Sequence, residues 1–489
     1  MKRVVDKILS PQLFLLCYLP WLAINMVTVV NILSFTRVVL VLFAAWAVAI
    51  CVKEYLFGGK QAWVHKGIAV LLFFLAACLM SKVLLYRYGG LDVIGKLCYF
   101  SLCILVLYPQ RRLQSADYIK MLSVLARTLG IVIGIMMLIS DWMFVSVFSS
   151  TITIRAGGTA NVGFAENRLY GIFTSPNVGG AYALILVWCS FVTLLWSGKM
   201  RAKILWRILA AVQMILAVMY ISVALSRGTY LMGLAMVIGY MILRPSFARE
   251  KALKAWLQVS LRVVSVVAAI FLSIGIVNVF NRVSCEIMTW NYETNLKSDD
   301  AEKDEQMQAI VENALLGSAG RVEADRDDID ITNKRTRIWK SNLSLLKGKH
   351  LLIGVNQPHE YLKKTMEQGV TYPEQVVTFV NYAKSNTHNG YLQILVSGGL
   401  LAFLPMAAFL AWCAYLAVRY MAKSLLGGKW PMNTAAYALF SVTLPMVLGV
   451  LVDNVVESNF ALMGANFIQA FFWVVAGACV LSMCEGAKE

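Results

Sequence analysis

The sequence predicts an all-α integral membrane protein of about twelve transmembrane helices, with a large, partly helical extracytoplasmic loop between spans 9 and 10. Three observations carry that expectation. Hydrophobic residues make up 59% of the 489-residue chain and charged residues only 15%, whereas a soluble domain holds about 45–50% and about 25%. Apolar runs of about 20 residues, enough to cross a bilayer core of roughly 30 Å, recur from one end to the other. A polar stretch of about a hundred residues interrupts them, far longer than a connection between helices requires.

Taken in order, the apolar runs place spans near 12–34, 38–56, 67–86, 91–108, 120–147, 178–196, 203–224, 229–243 and 259–279, and, beyond the polar stretch, near 390–418, 433–452 and 460–482. The chain so divides into helices 1–9 over 1–279, an extracytoplasmic loop domain over 280–388, and helices 10–12 with a cytoplasmic tail over 389–489. The opening "MKRVVDK" resembles the charged start of a signal peptide. The apolar run after it is too long and no small-residue cleavage site follows, so it reads as a retained first span.

A net charge of +17 would suggest nucleic acid in a soluble protein. Here the basic residues gather in the N-terminal tail and alternate loops, among them Arg111 and Arg112, Lys199 and Arg201, Arg244 and Arg249, Arg419 and Lys429. That is the positive-inside pattern of a multi-pass membrane protein. It puts both termini in the cytoplasm, makes the lipid bilayer the partner and argues against nucleic acid. The ten cysteines include no CxxC, and only Cys285 falls in the polar loop; they read as small buried hydrophobes. The acidic run "EADRDDID" lacks the turn glycine and closing glutamate of a calcium loop and reads as a solvated face. His350, His359 and His388 are not at metal-ligand spacing, so no metal or other cofactor is expected.

Chemistry-bearing residues concentrate in stretches expected on the outer side. In "RLYGIFTSPNVGG", 168–180, Gly171, Pro176, Asn177 and Gly179 spell an irregular turn leading into a helix, with Arg168 just before it; a plain re-entry turn reads equally well. In "LSRGTY", 225–230, Arg227 sits against the positive-inside bias, as an anion ligand or as a snorkelling, salt-bridged side chain. In "TNKRTRIWKSNLSLLKGK", 332–349, Thr332 or Asn333 can cap a helix with Ile338, Trp339, Leu343 and Leu346 as its apolar stripe, ended by Gly348. Arg335 and Arg337 then point to nearly opposite faces, so at most one aims at a given site, unless both belong to a solvated basic face.

The stretch "SNTHNGYLQILVSGG", 385–399, opens the tenth span. Ser385, Asn386 or Thr387 can cap its helix, which leaves His388 beside the first turn, where the helix dipole favours neutral imidazole and a nearby phosphate. Asn389 follows and Tyr391 lies about one turn on. The alternative is a histidine that merely bridges polar neighbours. In "DNVVESNF", 453–460, Asp453 and Glu457 are four apart and would share a helical face, to hold arginines, to bind acceptor hydroxyls, or simply to be solvated. A base with several arginines, and neither a nucleophile–base pair nor a phosphate loop, suits displacement at a carbon bearing a phosphate leaving group.

The ordered set resembles the O-antigen ligase and O-antigen polymerase superfamily. It runs SRG between two spans, then "RTRIW" and "LLIGV" in a long outer loop, then "HNGYLQILVSGGLLAFL", with "RLYGIFTSPN" before it. The resemblance covers roughly residues 165–410. It implies a GT-C type membrane glycosyltransferase, inverting and metal-independent. Such an enzyme moves saccharide from an undecaprenyl pyrophosphate carrier to an acceptor hydroxyl, on a glycan or glycolipid, at the outer face of the plasma membrane. The family's loop histidine falls on His388 as base, and its pyrophosphate-binding arginines on Arg227 and Arg335. Arg168 matches a further basic position, and Arg337 is an alternative to Arg335. Tyr391, Asn389, Asp453 and Glu457 join them as substrate-binding candidates. The rival from another class is a flippase for the lipid-linked saccharide. No internal repeat supports it, and a flippase needs no ordered outer loop with a histidine.

Overall fold

The computed structural model describes residues 6–33, 35–57, 67–85, 90–108, 114–153, 159–197, 202–243, 255–297, 301–319, 335–384, 386–426, 434–462 and 466–486. The acidic run 323–330, the Thr332, Asn333 and Ser385 caps, and the basic residues Arg111, Arg112, Lys199, Arg201, Arg244, Arg249 and Lys429 lie outside them.

The chain is an all-α membrane protein, with one small sheet among the described residues. Among the described residues eight helices are long and apolar enough to cross a membrane: Phe35–Leu56, Ser115–Val145, Pro176–Trp196, Lys203–Ala224, Ser260–Leu296, Gly390–Ala422, Ala435–Asp453 and Phe467–Gly486. Four shorter apolar helices, Pro11–Asn25, Ile68–Leu84, Ile94–Leu107 and Arg227–Leu243, occupy the other stretches expected to span. Contacts divide the chain into two compact units.

The first unit joins residues 1–15, 40–118 and 332–489. It contains α1 (Ile68–Leu84), α2 (Arg335–Leu343), α3 (Lys349–Ile353), α4 (Pro358–Glu367), α5 (Glu374–Ala383), α6 (Gly390–Leu426), α7 (Ala435–Asp453) and α8 (Phe467–Gly486). The last helix is its centre: Trp473 is fully buried and its indole meets Phe100 and Tyr108 edge-on at 5.7 Å. Such edge-to-face pairs favour one packing over its alternatives. Helix α6 is broken at Gly399, whose φ of 66° and ψ of −168° are not helical. A second, smaller core of Leu85, Leu345, Val355, Leu362, Val380 and Val396 packs the polar stretch against α6.

The second unit joins residues 16–39 and 119–331. Its helices are α9 (Pro176–Trp196), α10 (Lys203–Ala224), α11 (Arg227–Leu243) and α12 (Ala255–Asn291), and strands β1 (Ser149–Thr153), β2 (Thr159–Ala165) and β3 (Arg168–Gly171) form an antiparallel sheet in that order. Helix α9 starts where the sequence says it must: the Ser175 hydroxyl accepts from Val178 N at 3.2 Å, and Pro176 fills the first position, which needs no donor. Gly179 lets it approach α10, because a Cβ there would overlap the Tyr220 hydroxyl. Gly179→Ala is therefore expected to destabilise the fold by about 1–3 kcal/mol, the usual range for overpacking. A melting temperature equal to wild type in the purified protein would contradict that packing.

Three expectations are corrected here. The sheet was not foreseen; "RLYG" is its third strand, ahead of the turn. Helix α12 runs on to Asn291, past the expected end of its span, so Cys285 lies buried in a helix rather than in a loop. Helix α2 ends at Leu343, which is exposed, and its buried face is Ile338, Ser341 and Asn342; the apolar burial passes to Leu345 in the turn beyond.

Candidate active site

His388 sits two residues before α6, with its backbone in the left-handed region at φ 51°. Such a conformation is uncommon for a side-chain-bearing residue and persists only where neighbours hold it. Here several do. His388 N donates to Asn386 Oδ1 at 2.9 Å, Thr387 N to Gln393 Oε1 at 3.0 Å, and the Trp339 indole to Thr387 O at 3.0 Å. The helix cap is Asn389, whose Oδ1 accepts from Leu392 N at 2.9 Å, not Asn386 or Thr387 as expected. Gly390 N donates to Asn454 O and Glu457 O, both at 2.8 Å, which docks the start of α6 on the turn after α7. A Cβ on Gly390 would strike Phe460 at 2.9 Å, so that docking needs glycine.

The same turn delivers Glu457. One of its carboxylate oxygens accepts from Arg335 Nη2 at 2.7 Å, and the other lies 3.5 Å from His388 Nδ1. The Arg335 and Glu457 side chains are only 16% and 11% exposed. The His388 side chain is 34% exposed while Nδ1 itself is buried without a hydrogen bond, so the exposed part of the ring is its other edge. Asp453 is buried one turn earlier, its Oδ2 accepting from Asn459 Nδ2 at 2.9 Å. Of the readings open for this turn, the solvated one does not hold: the turn is buried, and Glu457 holds an arginine.

The remaining candidates of this unit serve other contacts. Arg337 is exposed and stands over the Phe379 ring at 5.8 Å, on a different face of α2 from Arg335. The Tyr391 hydroxyl donates to Leu451 O at 2.8 Å, and Asn389 Nδ2 to Val455 O at 2.9 Å. Both side chains therefore build the loop around His388. Asn454, which sequence reading passed over for the acids beside it, organises the turn: its Oδ1 accepts from Asn459 N at 2.6 Å and Phe460 N at 3.1 Å.

In the second unit Arg227 is the first residue of α11 and is half-buried. Ser226 before it caps the helix, its hydroxyl accepting from Thr229 N at 3.3 Å. Asn177 joins this turn to β3: its Oδ1 accepts from Ser226 Oγ and from Arg168 Nη2, both at 2.9 Å. Arg168 Nε also donates to Ala224 O at 3.0 Å, in the last turn of α10, where a cation complements the helix dipole. Arg168 thus braces the turn that carries Arg227. Burial pushes the Tyr170 phenol up, and its hydrogen bond to Glu166 pushes it the same way.

Residues 212–407 match the family model described as O-antigen ligase. That stretch is similar to the O-antigen ligase family, which supports the resemblance to the O-antigen ligase and polymerase superfamily. No curated protein matches the chain. The O-antigen ligase match spans Arg227, Arg335, Arg337, His388, Asn389 and Tyr391, while Arg168, Asp453 and Glu457 fall outside it. The contact between Glu457 and the matched residues is visible only in three dimensions. Among the described residues no group of three or more His, Cys, Asp and Glu side chains converges as metal ligands would.

Proposed function

We propose that this O-antigen ligase-type membrane enzyme is a glycosyltransferase. It moves or polymerises saccharide from an undecaprenyl-pyrophosphate carrier onto an acceptor hydroxyl, of a glycan or glycolipid, at the outer face of the plasma membrane. The observation that carries the reading is Glu457 lying between the Arg335 guanidinium and the His388 imidazole. A carboxylate facing Nδ1 orients the ring and leaves Nε2 to accept a proton, the arrangement by which a base activates a hydroxyl. Contacts of this kind are commonly long before substrate binds and tighten afterwards.

The acceptor oxygen forms a bond to the anomeric carbon from the face opposite the carrier, and His388 takes its proton. The bond from that carbon to the pyrophosphate oxygen breaks, and the electron pair leaves with the diphosphate. Charge grows on that oxygen as it departs, and a guanidinium stabilises it best, having two parallel donors. Arg335 and Arg227 take that role; Arg335 is favoured over Arg337 because Arg337 is exposed on Phe379. The step inverts the sugar carbon and needs neither metal nor cofactor. Asp453, Asn389, Tyr391 and Arg168 support it by holding the turns in place.

Purified protein in liposomes with a carrier-linked saccharide should release undecaprenyl pyrophosphate and yield one longer glycan per event. Intact carrier after prolonged incubation would overturn the reading. In the same assay Arg227→Lys is expected to lose about 10²-fold or more, because an ammonium keeps the charge but not the fork. Activity near wild type would return Arg227 to a structural role.

A further inference from the structure

We infer that Lys82 is a positioning residue for this reaction: through Asn356 it locks the segment 351–356 into the break of α6, and so seats the short helix that begins beside His388. The inference rests on the proposed transfer reaction and adds to it a residue from α1, outside the matched stretch.

The break at Gly399 frees backbone groups inside an apolar helix, and such groups must find partners away from water. The segment containing "LLIGV" supplies them. Val355 N donates to Val396 O at 2.8 Å, and the Ser81 hydroxyl donates to Ser397 O at 3.2 Å and also to Ile353 O. Two glycines allow the approach. Gly354 has φ 75°, and a Cβ on it would lie 2.6 Å from the Ser397 carbonyl carbon and 2.7 Å from Gly398 N. A Cβ on Gly399 would overlap the Leu352 carbonyl. Asn356 is left-handed too, at φ 66°, a conformation asparagine accepts more readily than most residues.

Two consecutive residues of α1 hold the two ends of this insert. Ser81 binds Ile353, and Lys82 Nζ donates to Asn356 Oδ1 at 2.7 Å while Asn356 Nδ2 donates to Leu85 O at 3.3 Å. Lys82 is 5% exposed and Asn356 2%. Burying an ammonium is costly, and a neutral side chain could meet an asparagine oxygen at less expense. What the charge adds is a short, strong hydrogen bond at one register. Val355 and Val396 belong to the same core as Leu345, which follows α2. The helix of Arg335 and the helix that begins beside His388 therefore rest on one seam, and Lys82 closes it.

The test uses the full chain in liposomes, with amide hydrogen exchange and transfer kinetics on each variant. Lys82→Met should speed exchange at Val355, whose partner is Val396 O, and lower turnover by about 10²-fold, the size a misplacement on the order of 1 Å produces. KM for the carrier-linked donor should stay within about twofold, because this seam adds no donor contact. Lys82→Arg should recover most of the turnover, Asn356→Gly, which keeps the left-handed backbone without strain, should lose it as Lys82→Met does, and the double variant should be no worse than the poorer single, since all remove one interaction. Unchanged exchange, wild-type turnover in Lys82→Met, or losses that simply add would each overturn the inference. A wild-type protein that transfers nothing would instead overturn the proposed function, and the exchange arm would still decide whether Lys82 holds the segment.

Discussion

His388→Ala is expected to lower saccharide transfer by about 10²–10⁴-fold, the usual contribution of a positioned general base, while leaving the fold intact. The separation follows from how the residue is built in. The loop is held by the backbone of His388, through Asn386, and by the side chains of Asn389, Gln393 and Trp339. The ring itself approaches Glu457 at 3.5 Å. Truncating the ring therefore removes chemistry rather than scaffolding. Alanine tolerates φ 51° poorly, so His388→Asn is the fairer second variant, asparagine being comfortable in that region. His388→Asn should melt near wild type, and both variants should stay folded and release almost no undecaprenyl pyrophosphate. Transfer above about a tenth of wild type in both, short of the expected contribution of a base, would remove His388 from the mechanism.

The membrane helices are legible in the sequence because hydropathy is a sum over many residues, and no tertiary contact is needed to read it. Legible, too, are the turn into α9, marked by Pro176 and Asn177, and the opposed faces of Arg335 and Arg337, which follow from helical spacing alone. What local pattern does not show is anything set by a distant partner. The strands β1 to β3 are only 5, 7 and 4 residues long, too short for a period of two to stand out among the apolar runs. Asn389 rather than Thr387 caps α6 because Gly390 N is drawn to Asn454 and Glu457, far along the chain. For Glu457 the sequence leaves solvation, an arginine partner and an acceptor hydroxyl equally open until Arg335 and His388 are brought to it. Lys82 has no signal at all in one dimension beyond being a charge near the end of an apolar run.

Glu457 gives the sharpest division between holding and catalysing. Arg335 and Glu457 form a largely buried ion pair at 2.7 Å, with side chains 16% and 11% exposed. Glu457→Leu strands the guanidinium in a site it cannot leave without disturbing α2, and breaking such a pair costs about 3–5 kcal/mol. The single variant should therefore melt well below wild type and transfer nothing measurable. Replacing the whole pair, Glu457→Leu with Arg335→Met, exchanges two charges for apolar side chains, which is often neutral for stability. The double variant is expected to melt near wild type again and yet remain at least about 10²-fold slower, because both the carboxylate facing Nδ1 and a donor to the leaving oxygen are gone. Melting curves and released carrier, measured on the same preparations, check the two halves together. If turnover returned with the melting temperature, the pair would be only a strut between α2 and the turn after α7, and the base would have to find its orientation elsewhere. A stable, folded and inactive double variant means that the geometry around Glu457 exists for the reaction, since the fold can be had without it.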